Sequence, residues 1–198
     1  MARETEKRRA ELREKLLDIA ETEIRKNGVT ALRARGLAEQ AGCAVGAIYN
    51  VFEDLTGLVL AVNLRTFHRL GETVSAAVAT KQNAPPVQRL ILMAKGYLQF
   101  AVDDPNLWRA LFDVEMTSDS NVPDWYLQEL SRLFAIIAGP LTELDPTASE
   151  NDIDLRTRTL FSSVHGIVLL GLERRISAVP QERIEHMVEY LLTNTVQT

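Results

Sequence analysis

The 198-residue chain is 46% apolar and 25% charged, an ordinary globular composition with enough length for a proper core. A formal net charge of −5 argues against wholesale nucleic-acid binding, and no apolar run reaches the length of about eighteen residues that a membrane-spanning helix needs. The charged start, MARETEKRRAELREK, lacks the apolar region of a secretory signal, and the single cysteine, Cys43, cannot form an internal disulfide; together these predict a cytoplasmic protein. The apolar neighbours of Cys43 favour an inert, buried thiol over a redox sensor.

Apolar residues at helical spacing begin at Leu12 and continue through Leu16, Ile19, Ala20 and Ile24, after which Asn27-Gly28 supplies a stop. A second helix is expected over about residues 34–40, with Leu37, Ala38 and Ala41 on one side and Gly42 at its end. A third, over about 45–51, presents Ile48 and Phe52 inward. The fourth runs from about Leu55 to Thr80, with Leu58, Val62, Leu64 and Leu70 among its buried positions. Asn83-Ala84-Pro85-Pro86 then breaks the chain before a helix through Asp103. Asp104-Pro105 reads as an N-cap with proline at the first helical position, opening a helix to about Met116. Past the loop TSDSNVPDW, residues 125–144 are helical. Ser149 caps a long helix to Ile176, and Val179-Pro180 starts the last one, which ends near Thr195.

The fold class is therefore all-α, with about nine helices and no convincing strand or repeat. The boundary is expected near residue 54, giving a head over 1–54 and a body over 55–198, the fourth helix connecting them. Charge is uneven between the parts. Residues 1–52 hold ten Lys and Arg against eight Asp and Glu, while residues 53–198 hold twelve against nineteen, the imbalance of a protein that touches DNA at one end.

The segment EQAGCAVGAIYNVFED is laid out as a helix-turn-helix, two short helices joined by a tight turn with the second helix free to enter a major groove. Ala38 and Ala41 are small where the helices approach, and Ile48 and Phe52 plug the pair onto the first helix. An alpha-alpha corner in a bundle shares that spacing. The run LAEQAGCAVGAIYNVFEDLTGLVLAV resembles the signature of the TetR-type bacterial transcriptional regulators: a helix ending in Ala-Gly, a small-residue turn, Gly-x-[Leu/Ile]-Tyr-x-x-Phe, and a long apolar helix with Ala-Val near its start. Gly42, Gly46, Ile48, Tyr49, Phe52, Leu58, Ala61 and Val62 fall in register, and the strong part of the likeness covers residues 19–62. A weaker likeness covers GYLQFAVDDPNLWRALFDVE and FSSVHGIVLLGLE. The resemblance implies a homodimer that binds a palindromic double-stranded operator through its heads and holds a small-molecule effector in its helical body.

The chain departs from the family's pattern at several places. Ala44 stands where a Ser or Thr commonly caps the recognition helix, Ala47 where a Thr often lies, and Asp54-Leu55-Thr56 where a lysine usually follows the Tyr-x-x-Phe segment. Leu32-Arg33 replaces the polar cap of the second helix. Each lost hydroxyl or ammonium removes a phosphate contact. The DNA-facing set is therefore expected to be Arg33, Arg35, Ala44, Val45, Gly46, Ala47, Tyr49 and Asn50. In it Val45 and Ala47 meet thymine methyls, Asn50 reads an adenine edge, and Tyr49 bonds a phosphate, as the resemblance also implies. The start carrying Arg3, Lys7, Arg8, Arg9 and Arg13 is either a source of positive charge for DNA or a solvated terminus balanced by its acidic neighbours. The whole predicts DNA binding with a shallow salt dependence.

In the body, Tyr97, Phe100, Trp108, Phe112, Trp125, Phe134 and Phe161, with Glu115 and His165 as polar tips, are either core or the lining of an effector pocket. The last two helices carry more apolar positions than one core needs. Leu160, Val164, Ile167, Val168, Gly171, Leu172, Ile184, Met187, Val188 and Leu191 form the expected dimer interface, which the resemblance makes a four-helix contact. No metal-ligand spacing, phosphate loop or nucleophile elbow occurs, so neither an enzyme nor a metal or cofactor is expected. The sequence thus predicts a ligand-responsive, dimeric transcriptional regulator, acting as a repressor released by a small lipophilic or aromatic effector. The competing reading is a helical adaptor whose degenerate head no longer grips DNA.

Overall fold

A computed structural model describes residues 2–114, 122–173 and 178–195. Among these residues the protein is all-helical, with nine α-helices and no strand: α1 (Ala2–Asn27), α2 (Ala34–Ala41), α3 (Val45–Tyr49), α4 (Leu55–Ala79), α5 (Pro86–Asp103), α6 (Pro105–Asp113), α7 (Asp124–Leu144), α8 (Glu150–Leu172) and α9 (Gln181–Thr195), with a 3-10 turn at Val29–Ala31. Glu115 and the helix ends expected near Met116 and Ile176 lie outside the described residues. No described helix is long and apolar enough to cross a membrane.

The chain divides into two compact units, Met1–Phe67 with Asp104–Tyr126, and His68–Asp103 with Leu127–Thr198. The head expected over 1–54 lies within the first unit, where Leu107 and Ala110 of α6 are fully buried in the same core as α1 to α3.

That core explains the local structure of unit 1. Leu16, Leu17, Ala20 and Ile24 of α1 meet Leu37, Ala38 and Ala41 of α2, Ile48 of α3, Phe52, and Leu58 and Val62 of α4. Each large aliphatic group buried there contributes about 1.5–3 kcal/mol. Gly28, at φ 81°, lets the chain leave α1, and its N–H donates to the Ile24 carbonyl at 2.8 Å. Gly42, at φ 68°, makes the turn of the helix pair: its N–H donates to Glu39 O and that of Cys43 to Ala38 O, the paired bonds of a Schellman stop. Helix α1 begins well before Leu12. The early turns are polar but zipped by i,i+4 pairs, Arg8 with Glu4 and Lys7 with Glu11.

Charged clasps tie α4 and α6 to α1. Arg65 of α4 donates to Glu14 Oε2 and Asp18 Oδ1, both at 2.7 Å, and to Glu21 Oε2 at 3.3 Å. Arg25 donates to Glu21 Oε1 at 3.4 Å and to Asp104 Oδ1 at 2.8 Å. Asp104 therefore stands at the N-cap position of α6 without capping it, its carboxylate being engaged by Arg25. The amide of Asn106 donates to the Arg25 carbonyl, and that of the fully buried Asn63 to the Ala110 carbonyl at 2.8 Å.

Unit 2 is built on α5, α8 and α9. Met93, Ala94, Leu98 and Ala101 of α5 are buried, as are Val164 and Val168 of α8 and Ile184, Val188 and Leu192 of α9. Gly171 is needed for its size: a Cβ there would lie 2.7 Å from two carbons of Ile184. Ser149 caps α8 as expected, its Oγ accepting from the Asp152 N–H at 3.2 Å.

Candidate nucleic-acid interface and effector site

The turn at Gly42 separates α2 and α3 by three residues and leaves one side of α3 uncovered. Ala44, Val45, Gly46, Tyr49 and Asn50 are exposed and Ala47 is half-buried, whereas Ile48 is completely buried. Tyr49, at 48% exposure, carries the large polar group of that face. Its neighbours are small or apolar, so the surface offers methyl groups, one amide and one phenol rather than charge. Neither α2 nor α3 has a side-chain cap, because Arg33 and Ala44 occupy the cap positions. Arg33 and Arg35 are both exposed at the start of α2. Arg33 also spends one nitrogen on its own turn, donating to Thr30 O at 2.7 Å and Leu32 O at 2.8 Å. Asp54 accepts from the Gly57 N–H at 2.7 Å and so caps α4.

The aromatic residues form separate groups. In unit 2, Tyr97, Phe134, Phe161 and His165 make one cluster: Phe161 stacks on His165 with centroids 5.8 Å apart, and Phe134 meets Phe161 edge-on at 5.3 Å. The Tyr97 hydroxyl is hydrogen-bonded to His165 Nδ1 at 2.8 Å. Burial pushes the His165 imidazole below its ordinary value, so it stays neutral and keeps one ring nitrogen as an acceptor. Phe100 is buried on α5 nearby in sequence. In unit 1, Trp108 meets Phe112 at 5.8 Å and Trp125 meets Tyr126 at 5.7 Å. Tyr126 is itself buried against Phe67, and burial raises its phenol above the ordinary tyrosine value.

On α8 and α9 the expected interface set splits by exposure. Val164, Val168, Gly171, Ile184 and Val188 are buried by this chain's own packing. Leu160, Ile167, Leu172 and Leu191 are half-buried and Met187 is exposed. An open groove of about 770 Å³ is lined by Ile167, Met187, Tyr190 and Leu191 among others. Tyr190 of α9 is 73% exposed and Leu170 of α8 55%, both outward apolar groups. Among the described residues no grouping of His, Cys, Asp and Glu fits a metal ion.

Residues 90–195, more than half of the chain, match the family model described as "Tetracyclin repressor-like, C-terminal domain". The chain belongs to the TetR family. It is 27% identical over 187 residues to the HTH-type transcriptional repressor KstR of Rhodococcus jostii, which covers 92% of this chain and 83% of that protein. It is 28% identical over 185 residues to the repressor of the same name from Mycobacterium tuberculosis, covering 92% and 81%. Both alignments leave too few residues uncovered to omit the head. Among solved structures, a protein of unknown function from Rhodococcus sp. RHA1 superposes with a TM-score of 0.74 at 22% identity, covering 91% of this chain and 93% of that one. RolR, solved in complex with resorcinol, does so with a TM-score of 0.68 at 18% identity, covering 96% and 91%. These two share the fold.

Within this TetR-family chain, several groups escaped the sequence reading. Asn63 and Thr66 are fully buried on α4, and Leu64, expected inside, is only half-buried. The polar Asn63 in the run VLAVNLRTF was the available signal, since an amide in an apolar stretch needs a partner and finds Ala110 O. His68 lies 3.2 Å from Glu129 of α7, a contact that no local spacing reveals. Tyr190 and Leu170 were missed as outward apolar residues because a helix apolar on more than one side does not say which side its own chain covers.

Proposed function

We propose that this TetR-family protein is a dimeric repressor that binds a palindromic operator through its two heads and is released by a small lipophilic or aromatic effector. The observation that carries the reading is the uncovered face of α3. A recognition helix that presents Val45, Ala47, Tyr49 and Asn50 outward from a well-packed head has the shape of a groove reader. Residue roles follow from chemistry. Val45 and Ala47 pack on thymine methyls, Asn50 pairs with an adenine edge, Tyr49 donates to a phosphate, and Arg35 with the remaining donors of Arg33 reaches the backbone.

The likeness to two proteins named as transcriptional repressors supports negative control. Tyr97, Phe134, Phe161 and His165 support an aromatic or lipophilic effector, since their rings give an apolar lining and the tyrosine–histidine pair one polar anchor. The fold accommodates such a molecule in RolR, which was solved with resorcinol. Of the other rings in the expected lining, Trp108 is buried in unit 1, whereas Phe112 and Trp125 are exposed there, and none of the three is assigned to the effector site in this reading. Met187, Tyr190, Leu191 and Ile167 support the dimer, whose two recognition helices would stand about 34–36 Å apart, one DNA turn.

Mechanistically, effector and operator favour different arrangements of the two heads, so each must weaken the other by the same factor. An electrophoretic shift assay on the DNA flanking the coding region, with purified folded dimer at low salt, tests the first half. Binding to one fragment in preference to unrelated duplex is expected; a folded dimer that binds none sinks the reading and favours the adaptor. Resorcinol and a fatty acid, added separately, then test which effector class reverses the shift.

A further inference from the structure

We propose that Arg13 is a DNA-backbone contact, held against the end of the recognition helix by the ring of Phe52. This rests on the head binding DNA, which the same experiment checks. From Ala41 to Phe52 the chain has no charged residue, so α3 brings no cation of its own to the phosphates. The structure supplies one from another helix. The guanidinium carbon of Arg13 lies 5.2 Å from the centroid of the Phe52 ring.

Phe52 is three residues past Tyr49 and its ring is buried, only 6% of the residue being exposed, whereas the Arg13 side chain is 45% exposed. The ring therefore backs the guanidinium and solvent fronts it. A guanidinium seated over a ring face keeps N–H groups available on its solvent side, and its planar fork can meet phosphate oxygens bidentately. A helix with side chains is about 10–12 Å across and the major groove about 12 Å wide, so phosphates flank a groove-bound helix closely. A cation fixed at the end of α3 meets that flank.

The surrounding charges make the placement consequential. Glu53 and Asp54 follow Phe52 directly and would repel a phosphate. Asp54 is partly neutralised at the start of α4, where it accepts from the Gly57 N–H. Glu14, which touches Arg13 at 3.5 Å through one oxygen, gives its other oxygen to Arg65 at 2.7 Å, so it holds Arg13 only loosely. Of the other basic groups near the start of α1, Lys7 is paired with Glu11 and Arg8 with Glu4 along the helix.

The test uses the full-length protein, a labelled duplex that the wild type selects from random-sequence DNA, and anisotropy titrations across a salt series. Arg13→Gln keeps a planar side-chain end without the charge; Arg13→Lys keeps the charge without the stack. The glutamine variant should bind about tenfold more weakly, equally on selected and mismatched duplexes. Its slope of log affinity against log salt should be shallower by about 0.9 for each head engaged. The lysine variant should keep the wild-type slope and fall between the two in affinity. Melting temperatures should stay within about 4 °C of wild type, because an exposed cation–π contact is weak. A glutamine variant with the wild-type slope overturns the proposal: with affinity retained Arg13 is a bystander, and with affinity lost its role is structural. A wild type that selects no duplex overturns the DNA-binding reading beneath it as well.

Discussion

Removing Arg65 tests whether one buried carboxylate or three visible ion pairs hold α4 to α1. The guanidinium reaches Glu14, Asp18 and Glu21, yet the three are not equal. The Glu14 and Asp18 side chains are 61% and 70% exposed, while that of Glu21 is 11% exposed. Exposed pairs contribute about 0–1 kcal/mol each and fade with salt. Leaving a buried carboxylate wholly unpaired costs about 3–5 kcal/mol. Glu21 keeps Arg25 at 3.4 Å when Arg65 is gone, so the expected cost of Arg65→Ala falls below that range, to about 1–2 kcal/mol. For a chain of this size that lowers the melting temperature by about 2–8 °C, measured by circular dichroism at fixed protein concentration because the proposed dimerisation would shift apparent stability. Glu14→Gln and Asp18→Asn should each cost less than about 0.5 kcal/mol. The decisive comparison is Glu21→Gln placed in the Arg65→Ala background. A neutral amide has no charge to strand, so part of the lost stability should return. If the second substitution lowers stability further, or if Asp18→Asn costs as much as Arg65→Ala, the buried carboxylate is not what the clasp protects.

Other outcomes follow from packing and titration. Gly171→Ala places a methyl 2.7 Å from Ile184 and should cost about 1–3 kcal/mol in urea denaturation, with Ile184→Val recovering part by deleting Cδ1. His165 is held below its ordinary value of 6.5, so on acidification the unfolded chain takes up a proton before the folded one does. Stability should therefore be unaffected above that value and fall progressively as pH drops below it, and His165→Gln should flatten the dependence between about pH 7 and pH 5. Tyr49→Phe should weaken operator binding by about fivefold or more in the same anisotropy assay, without changing the melting temperature, because the hydroxyl is on an exposed side chain and has no hydrogen bond among the described residues.

The helix pair that carries the proposed function was legible because its signals are local. Gly42 sits where the left-handed turn is required, and Leu37, Ala38, Ala41 and Ile48 fall at spacings that put them on one side; all four are buried. Ser149 was legible as a cap for the same reason, its hydroxyl needing only the N–H three residues on. What the sequence hid is contact between distant segments. The spacing of Leu107 and Ala110 says that α6 has an apolar side, but not that this side completes the core of α1 to α3. Asp104 has the residue type and position of a cap, and only the structure reveals Arg25 beside it. The aromatic residues posed the same problem in another form. Composition places many rings between residues 97 and 161, but tertiary placement sorts them into Tyr97 with Phe134, Phe161 and His165 in unit 2 and Trp108 with Phe112 in unit 1.

The scarcity of charge on α3 also bears on how such a head would find its site. Several basic groups of unit 1 are engaged within it: Arg65 on three carboxylates, Arg25 on Asp104 and Glu21, and part of Arg33 on two carbonyls. The formal excess over residues 1–52 is only two positive charges, and these pairings commit several of the cations within the head. Non-specific binding is almost wholly phosphate attraction, whereas specific binding adds base contacts to it. Removing a phosphate contact common to both states weakens both by the same factor, which cancels from their ratio. When genomic DNA sequesters most of a regulator, operator occupancy depends on that ratio and on the number of competing sites, not on the absolute affinity. A head that reads with Val45, Ala47 and Asn50 from a helix with no cation of its own therefore sacrifices tightness in the test tube more than selectivity in the cell. The same reasoning explains why a cation such as Arg13, anchored on Phe52, would tune overall grip and salt response while leaving the preferred sequence unchanged.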